Sequence, residues 1–149
     1  MAAVNDHEVV PGIVIHLNPE KLTQLGGCEV RVVENKEVQG DHYFLILKVD
    51  PPGVCSATPL CSDNTASKSR IKLDNSFKTG KKGLWSDRDT YYYKWQLWRF
   101  PVFSVKSSST DDNTTENDRR YYAKDNSKIL EDMFNEMNTS WEKWRQYKP

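Results

Sequence analysis

The side chains of this 149-residue chain that could act as nucleophile, base or soft metal ligand are three cysteines, Cys28, Cys55 and Cys61, and three histidines, His7, His16 and His42. Structural zinc sites draw on four such groups, arranged as closely spaced pairs. Cys55 and Cys61 are six apart with no second pair at ligand spacing. The pattern therefore carries no metal site, and no cofactor is expected. Thiol catalysis needs a base held beside the sulfur. Cys28 with His16 or His42 on adjacent strands is one pairing that would supply it, and a buried inert thiol is the competing reading. Asp87 and Asp89 flank Arg88 and could hold a cation or move a proton, although surface turn carboxylates look the same. Gly80-Lys81-Lys82-Gly83 is a basic turn and not a phosphate-binding glycine loop. Nothing here assembles into a catalytic motif, so the chain is read as a non-enzyme.

Binding chemistry is more visible. Residues 91–103 hold seven aromatic side chains together with Lys94, Gln96 and Arg99. As one β-strand the segment has two faces. Tyr91, Tyr93, Trp95 and Leu97 lie on one, and Tyr92, Lys94, Gln96 and Trp98 on the other. Net charge is zero, but its distribution is uneven. Residues 64–106 carry ten basic and three acidic side chains, and residues 1–63 carry nine acidic and four basic. Basic residues interleaved with aromatics can stack bases and meet phosphates. That reading nominates Lys81, Lys82, Tyr92, Lys94 and Trp98 for single-stranded nucleic acid. The bland alternative pairs the basic block with the acidic parts of the same chain.

Positioning these groups falls to a few local elements. Gly12–Leu17 places Ile13, Ile15 and Leu17 on one face and predicts a strand. Asn18 and Pro19 form an N-cap and first helical residue for a short helix ending at Gly26-Gly27. Residues 28–33 alternate and predict a strand. His42–Val49 is apolar on both faces, with Tyr43, Leu45, Leu47 and Val49 opposite Phe44 and Ile46. Such a strand is central or covered by a helix. Arg70–Leu73 fits a short strand. Residues 50–69 and 107–118 read as long loops, and residues 1–10 as a flexible arm. Ile129, Leu130, Met133, Phe134, Met137, Trp141 and Trp144 form one helical stripe. The expected fold is one α+β domain spanning residues 1–149. It has an antiparallel sheet of four or five strands packed against a C-terminal helix. The helix would cover Tyr93, Trp95 and Leu97 and leave Tyr92, Lys94 and Trp98 as the binding face.

Residues 30–49 run Val30-Arg31-Val32-Val33, then Val38-Gln39-Gly40, then Tyr43 through Val49. This resembles the core hairpin of the cystatins, in which a Gln-x-Val-x-Gly loop joins two strands. Trp95-Gln96-Leu97-Trp98-Arg99-Phe100-Pro101 is similar to the strand entering that family's second, Pro-Trp loop, and Gly12 could stand for its N-terminal glycine. The resemblance covers about half the chain. It departs at Lys36, where Gln is usual, at Val102, where Trp is usual, and in a long helix that is C-terminal. What it implies is a cystatin-like sheet in a non-catalytic protein-binding domain, either a thiol-protease inhibitor or a non-inhibitory relative. Gly12, Val38, Gln39, Gly40 and Pro101 would be contacts, with Tyr92 and Trp98 beside them.

Charged residues make up 28% of the chain, and no apolar run reaches the ~20 residues of a membrane span. The first residues lack the basic and apolar regions of a secretory signal. The expected setting is therefore the cytoplasm, with the nucleus also open, and the odd cysteine count fits free thiols. Partners expected on this basis are another protein, such as a cysteine protease, a second copy of the chain, or nucleic acid. No membrane partner is expected.

Overall fold

The computed structural model describes residues 4–32, 38–62, 70–80, 85, 88–109, 119–138 and 145–146. Its strands are β1 (Ile13–Leu17), β2 (Glu29–Val32), β3 (His42–Asp50), β4 (Val54–Cys61), β5 (Arg70–Lys72), β6 (Lys78–Gly80), β7 (Tyr91–Tyr93), β8 (Gln96–Pro101), β9 (Arg120–Tyr122) and β10 (Arg145–Gln146). Among the described residues they are accompanied by the α-helices α1 (Pro19–Gln24), α2 (Ser104–Ser108) and α3 (Ser127–Asn138). The strands form one sheet in the order β10-β2-β8-β4-β3-β1-β9-β6, and β7 and β5 branch from the end of β4. Every pairing among them is antiparallel. The α+β class and the C-terminal helix agree with the sequence, but ten strands among the described residues replace the expected four or five.

Both faces of the sheet are buried. Ile13, Ile15, Phe44, Ile46, Ala57, Trp98 and Phe100 make one core. Leu22 of α1, Val105 of α2, and Val4 and Val9 complete it. Val4 and Val9, within the stretch read as a flexible arm, are therefore packed in the core. Glu8 fixes them further, taking Arg119 Nε at 2.9 Å. The opposite face carries Val14, Leu45, Leu47 and Leu97 beneath Leu130, Met133 and Met137 of α3. Period-2 alternation of apolar residues on β3 supplies both cores from one strand. Arg31 Nη1 donates to the Asn138 carbonyl at 3.0 Å, placing a cation at the negative end of the α3 dipole. Trp141 and Trp144, expected to extend that helix, lie outside the described residues.

Two corrections concern the middle of the chain. Val54–Cys61, read as loop, is a strand paired on both sides, and Cys55 through Leu60 are buried. Its small and hydroxylated residues gave no apolar period, yet burial between two strands needs only compact side chains and satisfied backbone groups. Pro59 marks a change of neighbour. Val54–Ala57 pair with β8, whereas Leu60 and Cys61 pair with β7. A proline lacks the N–H for a continuous ladder.

The aromatic segment is the second correction. It is two strands joined by a turn at Lys94-Trp95. Between the pairs Ala57↔Trp98 and Leu60↔Tyr92, five aromatic-segment residues face two residues of β4. Three extra residues reverse the alternation, because side-chain direction has a period of two. Tyr92 therefore joins Leu97 under α3, and Tyr93 packs toward the core of Trp98. The expected face of Tyr92, Lys94 and Trp98 does not exist.

Candidate functional site

β4 leaves β3 beyond Pro59 and carries β7 and β5 with it, which splits the sheet. A cleft of about 510 Å³ occupies the split. Its first wall comes from the strands that stay with β3. His16 and Tyr43 are register partners on β1 and β3, and their rings stand 4.5 Å apart. Val14 pairs with Arg120 of β9, so alternation puts Arg120 on the same face as His16. The Arg120 guanidinium lies 4.3 Å from the Tyr43 ring centroid.

The second wall comes from the diverging strands. Arg70 of β5 is opposite Tyr93 of β7, with its guanidinium 5.0 Å from the ring centroid. Cys61, at the end of β4, also lines the cleft. A third wall holds Trp85 and Arg88–Thr90. Trp85 Nε1 donates to Thr79 O at 3.0 Å. Asp89 takes Lys72 Nζ at 3.2 Å and Asn75 Nδ2 at 3.3 Å. Those donors hold its carboxyl below the usual carboxylate range, Lys72 most of all.

Among the described lining residues, three arginines, Arg70, Arg88 and Arg120, stand with two carboxylates, Asp41 and Asp89, and Asp89 is paired with Lys72. Guanidinium planes on tyrosine faces combine an anion-binding fork with a flat stacking surface. The cleft suits an anionic ligand that also carries a planar ring.

The residues nominated from sequence fall elsewhere. Trp98 is 1% exposed and Tyr92 7%, so neither can offer its ring to a partner. Burial also pushes the Tyr92 hydroxyl up to about 12. Lys94 reaches Glu136 at 3.8 Å and the Trp95 ring at 5.1 Å. Lys81, Lys82 and Asp87 lie outside the described residues. Gly12 is buried at φ +98°, where its N–H donates to Ile46 O and its carbonyl accepts from Tyr122. Val38 is buried, while Gln39 and Gly40 are exposed.

The cystatin-like hairpin is not formed, since β8 and β4 lie between β2 and β3. Val38 is tied to Gln96 at the start of β8, and Pro101 is its last residue. Gln96 and Pro101 are five positions apart along the strand, about 17 Å. Gly12 sits inside the sheet, so these positions share no common rim.

Cys28 and Cys55 are buried, and burial pushes both thiols up to about 12. Cys28, next to β2, does not join His16 or His42, because β2 borders neither β1 nor β3, and Cys55 on β4 is register partner to Val49, at the far end of β3 from His42. All three cysteines are free thiols. No group of three metal-ligating side chains occurs among the described residues, and no described helix is long and apolar enough to cross a membrane. Large apolar side chains exposed among the described residues are Val10, Trp95 and Phe103. Trp95 and Phe103 flank opposite ends of β8 and make no shared patch.

Sequence reasoning missed the arginine cleft. Each arginine looks like an ordinary surface cation until the strand order joins residues 16, 43, 70, 88 and 120. The one local hint was that Arg70 and Arg88 fall within the basic region of residues 64–106; Arg120 lies outside it. No family model, curated protein or solved structure matches the chain significantly.

Proposed function

We propose that this protein is a non-catalytic binding domain whose cleft holds one nucleotide unit, free or at the end of a single strand. The observation carrying this reading is the grouping of Arg70, Arg88 and Arg120 around a 510 Å³ cleft, with two of their guanidiniums on Tyr93 and Tyr43. A base stacks on a guanidinium or aromatic plane, and a phosphate is met by the N–H fork of an arginine. The volume lies within the range of small-ligand sites. Nucleic-acid recognition of this kind uses the cleft in place of the aromatic strand.

The test is calorimetric titration with adenosine 5′-monophosphate and with adenosine, alongside anisotropy of a labelled single-stranded hexanucleotide RNA. The expected result is saturable binding of the monophosphate that weakens with salt, and much weaker binding of adenosine. Arg120→Ala should weaken the monophosphate by about tenfold or more, the scale of one charge-assisted contact. Tighter binding of the hexanucleotide would identify a strand end as the natural ligand. Absence of binding by both phosphate-bearing probes at 50 mM salt would overturn the reading.

A further inference from the structure

Lys78 does not line the cleft, yet it fastens the third wall to the sheet. It lies on β6, opposite Tyr122 of β9, and is more than nine-tenths buried. Its ammonium donates to Arg88 O at 2.7 Å and to Thr90 Oγ1 at 2.8 Å. It also stands 4.5 Å from the centroid of the Trp85 ring. One side chain thus touches three of the residues that form that wall.

The charged and titratable groups around it are few. Asp89 on the wall favours its proton, and Lys72 from β5 opposes it. Tyr122 faces it across the β6–β9 pair, with its hydroxyl accepting from the Asp74 N–H at 3.2 Å. Arg120 is register partner to Gly80, two residues further along β6. No carboxylate reaches the Lys78 ammonium within ion-pair distance among the described residues.

We propose that Lys78 is the positioning residue of the cleft, holding Trp85 and Arg88–Thr90 in the ligand-competent arrangement while protonated and releasing them on deprotonation. The inference rests on the cleft being the binding site. The physical reason is that a cation makes charge-assisted bonds about twice as strong as neutral ones and is attracted to the indole face. A neutral amine keeps neither advantage. Burial moves the group's pKa down to about 8, so the transition falls close to physiological pH. The window of pH 7 to 9.5 lies above the ordinary titration of imidazole and of a phosphate monoester.

Two measurements test this, one without ligand. In the ligand-free protein, the Trp85 indole N–H resonance is followed through that window. It should titrate with a midpoint near pH 8 in the wild type and stay fixed in Lys78→Arg, whose guanidinium remains charged. In the second, adenosine 5′-monophosphate affinity is measured by calorimetry over the same window. The wild type should weaken by about thirtyfold as the competent fraction falls. Lys78→Arg should lose little, and Lys78→Met should bind weakly at every pH. If circular dichroism shows Lys78→Met unfolded, the wild type and Lys78→Arg decide between them. A Trp85 resonance that does not move, or that moves equally in Lys78→Arg, overturns the proposal whether or not the nucleotide binds. Failure of the nucleotide to bind at pH 7 with a normal Trp85 titration counts against the binding reading alone.

Discussion

The indole of Trp98 donates to Gln96 Oε1 at 2.8 Å, and the same oxygen accepts the Val38 N–H at 2.9 Å. One buried amide thereby satisfies a core tryptophan and anchors the chain as it approaches β3. This explains how a large polar-tipped ring tolerates full burial. Gln96→Met should leave two buried donors without their acceptor and destabilise the fold by about 2–4 kcal/mol. A urea unfolding curve with a lower midpoint and unchanged slope would verify it. A midpoint equal to the wild type would mean that Gln96 is dispensable to the core.

Glu8 and Arg119 make a pH-dependent contribution. The Arg119 hydrogen bond holds the Glu8 carboxyl below its ordinary value of 4.5. A carboxylate with a depressed folded-state pKa stabilises the fold above the unfolded value and loses that effect as pH falls through the folded one. Glu8→Gln should destabilise the fold at pH 7, by about 1–3 kcal/mol, because buried Arg119 loses a charge-assisted bond to the Glu8 carboxylate. The gap between variant and wild type should then close progressively below pH 4.5. Thermal unfolding at pH 7, 5, 4 and 3 measures it, and a gap independent of pH would refute the assignment.

Cysteine reactivity should divide sharply. Cys28 and Cys55 are buried, with thiols pushed up to about 12, whereas Cys61 is partly exposed at the cleft. Thiolate is the reactive form. Brief iodoacetamide treatment of the folded protein at pH 8 should alkylate Cys61 alone, with Cys28 and Cys55 reacting after denaturation. Peptide mass spectrometry reads the sites. Protection of Cys61 by bound nucleotide would connect the thiol to the cleft.

Gly12 and Gly40 separate backbone strain from steric clash. Both have positive φ, at +98° and +71°. A Cβ on Gly12 would meet Tyr122 O at 2.8 Å, and one on Gly40 would meet nothing within 4 Å. Gly40→Ala should therefore cost the left-handed conformation alone, about 1–2 kcal/mol. Gly12→Ala should cost that and the disturbance of the β1–β9 junction as well. Chemical denaturation of both variants gives the comparison, and equal losses would argue against the clash.

Elements with their own period were legible from the residues. Ile13, Ile15 and Leu17 announced β1, the two-sided pattern of 42–49 announced β3, and Asn18 does cap α1, accepting the Lys21 N–H at 3.1 Å. Leu130, Met133 and Met137 form the buried stripe of α3, as a 3.6-residue repeat requires. Val54–Cys61 was not legible. Its residues are small, and its strand character comes from β3 and β8 on either side.

What the sequence determined by itself is therefore local: the α+β class, the strands whose alternation is strong, and the C-terminal helix. Tertiary structure alone decided the site. The turn at Lys94-Trp95 reverses the alternation, so Tyr92 and Trp98 went to opposite cores and the expected binding face was lost. The split at Pro59 brought Tyr43, Arg70, Arg88 and Arg120 around one cleft. Side-chain period is written in neighbouring residues, whereas strand order and register are set by long-range pairing and by which faces can be buried together.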